Sequence, residues 1–155
     1  MLAAQHLTLR PHSELHLMFN SPTGFHSKGS TIPFPLPALL FESLIARWKA
    51  FSPIALPDLL DEFVEQQVLI QAFRGATHVV AHKGGHAERG FVGAITYRLV
   101  QQNPSLHKLN PKLSKDLESA YTPLALTVNM LADYAFFSGA GFKTASGMGM
   151  LYRSG

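Results

Sequence analysis

Residues 139–150, "GAGFKTASGMGM", place four glycines around one lysine, two hydroxyl side chains and one phenylalanine. Glycine-rich backbone approaches a ligand closely, and its N–H groups, with an ammonium beside them, suit a phosphate. Two nucleotide-binding patterns fail on their letters. A dinucleotide fingerprint, G-x-G-x-x-G, is met at Gly139 and Gly141, but its sixth position is Thr144. A G-x-x-x-x-G-K-[ST] loop needs lysine where Gly147 is followed by Met148. Both also need a helix after the loop, and here a helical pattern precedes it. What remains is a helix-to-strand loop offering Gly139, Gly141, Phe142, Lys143, Thr144, Ser146, Gly147 and Gly149. These supply phosphate contacts and a stacking face, the chemistry of sequence-tolerant RNA binding. The competing reading is a loop whose glycines only let it turn over a sheet.

Histidine provides the second set of reactive groups. His26, in "SPTGFHSKG", lies two residues before Lys28 in an irregular loop, so an acid or base and a cation stand together. His78, His82 and His86 recur every fourth residue, which on a helix would make a metal-binding face. Their segment is β-like and ends in Gly84-Gly85, so no metal site is expected there. His12 and His16 around Glu14 read as the outward side of a strand.

These groups must be positioned by regular elements. "HSELHLMF" (12–19) alternates, with Leu15, Leu17 and Phe19 inward. A proline- and glycine-rich loop (20–37) leads to a helix over 38–51, with Leu40, Phe41, Leu44, Ile45, Trp48 and Phe51 as its apolar stripe. Arg47 falls off that stripe and reads as solvated. A short helix is expected at 57–66, then strands at 67–74, 77–83 and 91–100. The polar stretch 101–121, with two prolines, reads as a connection with room for one helical turn. Thr122-Pro123 opens a last helix as N-cap and first residue, burying Leu124, Val128, Leu131, Ala132, Ala135 and Phe136, and Gly139 ends it. A final strand follows at 148–153. The order matches α+β ferredoxin-like βαββαβ with an antiparallel sheet, residues 77–83 being available as an extra β-hairpin.

The 155 residues suit a single domain, 1–155. Hydrophobic residues at 46% against 15% charged exclude a disordered chain. Without cysteine, disulfides and thiolate metal sites are excluded. The N-terminus lacks the basic and apolar regions of a signal peptide, and the most apolar stretch is broken by Asn129 and Asp133; a soluble cytoplasmic protein without a membrane partner is expected. A pI near 9.3 favours an anionic partner such as nucleic acid.

"GAGFKTASGMG", preceded by "LALTVNMLADYAFFS", resembles the C-terminal glycine motif of CRISPR-associated repeat-RNA endoribonucleases of the RAMP superfamily. Gly139, Gly141, Lys143, Gly147 and Gly149 carry the match. "LHLMFNSPTGF", "PFPLPALLFESLIARW" and "RGFVGAITYRL" are similar in order and character to that family's C-terminal half. Members usually hold two ferredoxin-like domains in tandem, and this chain has length for one, resembling the C-terminal domain.

The resemblance implies binding of CRISPR repeat RNA and metal-independent cleavage through 2′-OH attack, without a cofactor. Many members place the catalytic histidine in the N-terminal domain, so RNA binding carries over better than cleavage. His26 is the candidate catalytic residue. The candidate RNA contacts are Lys28, Lys83, Arg89 and the loop residues named above, with Lys143 foremost. "RGF" at 89–91 begins like an RNA-recognition signature, but Gly93 stands where a stacking aromatic is required, and Phe91 and Tyr97 read as core. Partners would be the RNA, a missing N-terminal domain, a second copy, or other CRISPR-associated subunits. Two rival readings are a non-catalytic RAMP-type subunit and an unrelated ferredoxin-like interaction domain.

Overall fold

The structure, a computed structural model, describes residues 10–155; nine of the ten residues read for a signal peptide lie outside that range. The chain runs β1 (Glu14–Thr23), β2 (Phe25–Ser27), β3 (Ser30–Ile32), α1 (Pro37–Phe51), α2 (Leu60–Gln67), β4 (Val68–Ala81), β5 (Ala87–Leu99), α3 (Pro104–Leu109), α4 (Pro111–Ser119), α5 (Tyr121–Ser138) and β6 (Leu151–Arg153). The main sheet has the order β4-β5-β1-β6 and every pair is antiparallel. Counting only its own strands in chain order, that is 2-3-1-4, with α1 and α5 as the two crossovers: the ferredoxin-like arrangement. The β2–β3 hairpin forms a separate small sheet.

Alternation drives the core. Leu15, Leu17 and Phe19 of β1 and Phe91, Ile95, Tyr97 and Leu99 of β5 point to one face and are buried there. Leu40, Phe41, Leu44 and Ile45 of α1 and Leu124, Val128, Leu131, Ala132 and Ala135 of α5 cover that face in a single cluster. Burying so much apolar side chain, at about 25 cal/mol per Å² removed from water, is the main stabilising term. The Tyr97 hydroxyl, inside this core, donates to the Pro35 carbonyl oxygen at 2.6 Å.

Several local expectations change. β1 runs four residues past Phe19, and its far end shifts register between Phe19 and Thr23. The expected loop holds the β2–β3 hairpin. Strands 67–74 and 77–83 are one strand, because Gly75 lies opposite Gly93 and the ladder continues to Ala81↔Ala87. A Cβ on either glycine would strike the other strand's backbone, so the pair keeps the hairpin zipped where a larger residue would part it.

The stretch 101–121 holds two helices, not a loop. Asn103 and Asn110 are their N-caps, each side chain accepting from the backbone N–H three residues on, at 3.1 Å, with proline at the first helical position. The prolines read as breakers are helix starts. α5 begins at Tyr121, two residues earlier than a Thr122 cap would allow, because the Leu124 N–H already bonds the Ala120 carbonyl. Phe51 and Phe136, assigned to apolar stripes, are exposed (81% and 56%): each stands at its helix's C-terminal end, outside the core cluster. Among the described residues, no helix is long and apolar enough to cross a membrane.

Candidate RNA-binding site

The glycine loop is folded against the end of β1 and the flank of α1. Gly139 caps α5 with φ 67°, its N–H bonding the Ala135 carbonyl at 2.9 Å. Phe142 N–H then donates to the Gly24 carbonyl at 3.1 Å and Gly149 N–H to the Pro22 carbonyl at 2.9 Å, while Ala140 N–H donates across the loop to the Gly149 carbonyl at 3.0 Å. A Cβ at Gly141 would run into the Gly24 carbonyl oxygen, and one at Gly149 into that of Ala140. Both also have positive φ, so these two glycines exist to let strand, loop and helix end touch. Gly147 differs: its φ is 90°, but open space surrounds it.

Arg47 was read as solvated and is not. Its guanidinium reaches from α1 to the Ser138 carbonyl at 3.1 Å and the Gly141 carbonyl at 2.6 Å. The Ser43 hydroxyl, one turn earlier, accepts from the Gly141 N–H at 3.0 Å. Sequence spacing alone cannot find this clamp, since 91 to 98 residues separate the partners.

After these bonds, three consecutive N–H groups of the loop, those of Lys143, Thr144 and Ala145, have no acceptor among the described residues. They lead into the 3-10 turn Thr144–Ser146. Lys143 is exposed and left-handed (φ 58°), an unusual conformation for a non-glycine residue, held by bonds from Ser146 and Met148 N–H to its carbonyl at 3.0 and 3.2 Å. An ammonium and unspent amides thus adjoin one another in the loop, groups that suit a phosphate.

His26 lies in strand β2 and not in an irregular loop, because Phe25–Ser27 pairs with Ser30–Ile32. Its exposed ring packs on Phe142, centroids 4.4 Å apart and planes tilted 38°. Lys28 occupies the hairpin turn, exposed, with φ 50°. Thus the rings of His26 and Phe142 meet from segments more than a hundred residues apart, with Lys28 two residues from one and Lys143 next to the other in the chain. Arg89 joins their border: a Cβ on Gly24 would touch both the Phe142 ring and the Arg89 carbonyl, at 2.7 and 2.9 Å. Its side chain bonds Thr77 Oγ1 at 3.1 Å. Lys83 is not part of this group. It sits in the turn of the β4–β5 hairpin, four residues beyond the partner of Arg89, or roughly 13 Å along an extended strand. Phe91 and Tyr97 are 2% and 0% exposed, inside the core. Among the described residues, no group of three or more histidine or acidic side chains is arranged to hold a metal ion.

The family model for the CRISPR-associated endoribonuclease Cas6 matches residues 17–151. A CRISPR-associated endoribonuclease Cas6 from Streptococcus thermophilus is 28% identical over 136 residues, covering 86% of this chain and 47% of that protein. A Cas6 product complex superposes with a TM-score of 0.75 at 29% identity, over 98% of this chain and 56% of that one. Thermus thermophilus Cas6 gives 0.71 at 32% identity, over 93% and 54%. The chain therefore spans about half the length of these relatives. With the ferredoxin-like sheet order and a glycine loop clamped to α1, the chain belongs to the CRISPR-associated endoribonuclease Cas6 family.

Proposed function

We propose that this chain is an RNA-binding half of a CRISPR repeat-RNA processing endoribonuclease, equivalent to the C-terminal domain. One observation carries the reading: Lys143 and three unspent amides stand beside the stacked rings of His26 and Phe142. A nucleotide strand meets charge for its phosphates and a flat face for a base. Gly139, Gly141 and Gly149 serve the RNA through the shape they give the loop, whereas Thr144, Ser146 and Gly147 line its outer turn. Lys28 and Arg89 extend the positive border, and Lys83 meets only RNA that runs along the hairpin. The half-length match to complexes described as product and substrate-mimic complexes supports RNA as the ligand.

For cleavage, a base removes the ribose 2′-OH proton, the 2′ oxygen attacks the phosphorus, and the 5′ oxygen leaves with a proton. A cyclic phosphate and a 5′-hydroxyl result. In this reading His26 makes one of the proton transfers and Lys28 or Lys143 meets the phosphorane charge. A second reading, a non-catalytic subunit that holds the RNA beside another domain, a second copy or another CRISPR-associated protein, is favoured by one fact. The only hydrogen-bond contact of the His26 ring among the described residues is Thr31 Oγ1, at a long 3.5 Å, so no carboxylate orients it. In either case the chain works in the cytoplasm, where its RNA is.

Labelled repeat RNA incubated with the chain in EDTA tests both. Cleavage to a cyclic-phosphate end establishes the enzyme; retention without cleavage supports the holding role; the absence of both binding and cleavage refutes the RNA reading.

A further inference from the structure

Between the β2–β3 hairpin and α1 lies an open groove of about 430 Å³, lined by Phe25, His26, Leu39, Glu42, Ser43 and Phe142 among others. This volume accepts one base with its ribose. Two polar groups in it are unspent. Ser43 Oγ accepts from Gly141 N–H at 3.0 Å and from Arg47 Nε–H at 3.3 Å. Both bonds bring a hydrogen to the oxygen, so the hydroxyl's own hydrogen remains free to donate, and no acceptor for it exists among the described residues. Glu42 is exposed and has no ion pair or hydrogen bond among them. A donor and a two-oxygen acceptor thus line one groove with the His26–Phe142 ring pair.

We infer that this groove is a subsite for a single nucleobase, selective for guanine. A carboxylate accepts from guanine N1–H and N2–H together, while the Ser43 hydroxyl donates to O6. Adenine and cytosine offer an amino group but no second donor beside it on that edge. Uracil offers one N–H between two carbonyl oxygens, which a carboxylate repels. The Glu42 charge also turns a phosphate away, so the groove takes a base while Lys143 takes the backbone. The inference rests on the RNA-binding reading for its class of ligand.

The test compares short labelled uridine-only RNAs with the same strands carrying one central G, C or A, against the chain and its Glu42→Gln variant. In parallel, GMP and UMP are titrated while backbone amides are followed by NMR. The G-containing strand is expected to bind about ten-fold more tightly than the uridine strand, as one bidentate base contact allows. Glu42→Gln should erase that ratio, and GMP but not UMP should shift the amides of Ser43, Gly141 and Phe142. RNA binding without base preference, unchanged in the variant and with GMP silent at the groove, overturns the subsite and leaves the RNA reading intact. GMP shifts at the groove without RNA binding would support the subsite and remove the RNA reading. Silence in both experiments removes both.

Discussion

Arg47 Nη2 donates to the Gly141 carbonyl oxygen at 2.6 Å, tying the middle of α1 to the glycine loop. The same guanidinium also bonds the carbonyl of Ser138, the last residue of α5, where the helix leaves acceptors unsatisfied and a cation is favoured. One side chain therefore fixes both the exit of a helix and the first turn of the loop that presents Lys143. Arg47→Ala should cost about 1.5–3 kcal/mol of stability, as for a hydrogen bond to a charged group, and weaken RNA binding besides. Arg47→Lys should recover only part of each, because a single ammonium lacks the planar fork. Urea unfolding and an RNA titration on the same samples check this; equal behaviour of the lysine and arginine forms would contradict the clamp.

The loop glycines should separate into two groups. Gly141→Ala and Gly149→Ala force a Cβ onto a carbonyl oxygen and add positive-φ strain, so losses of roughly 2–4 kcal/mol are expected. Gly147→Ala meets open space and should lose only the conformational part, about 1 kcal/mol. Denaturant midpoints for the three variants decide it. A Gly147 variant as damaged as the other two would contradict this separation.

Lys143→Ala should weaken binding by a similar factor for every RNA sequence and lower the slope of log affinity against log salt by about 0.7–1. A retained slope would place the phosphate contact elsewhere. His26→Ala should abolish any metal-independent cleavage while binding falls by less than in Phe142→Ala. Persisting cleavage at full rate would exclude His26 as the acid or base.

Tyr97 is fully buried, and burial pushes its phenol well above the ordinary value of 10.0; burial also raises Tyr121. The unfolded chain releases these protons first as the pH climbs past 10. Their stabilising contribution is therefore complete below that value and is lost above it, toward the raised folded values. Stability should fall through this alkaline window, and Tyr97→Phe should flatten the fall while losing the bond to Pro35, about 1 kcal/mol at neutral pH. Urea unfolding at pH 8 and above 10 would show it.

The elements with strong periodicity were legible. Leu15, Leu17 and Phe19, the first four stripe residues of α1 and the face of α5 apart from Phe136 are buried as their spacing demands, and the order of elements identifies the fold. Punctuation misled. One strand was split at residues 75–76 because the pairing of Gly75 with Gly93 was invisible, and the two prolines of 101–121 looked like interruptions although each follows an asparagine cap as a first helical residue. Within the site, Lys143 and Phe142 stood out because they interrupt a glycine run. Arg47, Ser43 and Glu42 could not, since their roles depend on which face of α1 meets a loop nearly a hundred residues away.

That separation has a kinetic side. The site is built from residues 20–47 and 138–150, and β6 joins the sheet beside β1 only when the two regions meet. Closing a loop of about a hundred residues is among the slower events in folding a small domain. The proposed RNA-holding surface should consequently appear with the last-formed contacts, and a partly folded molecule, however much helix it contains, should not hold the strand.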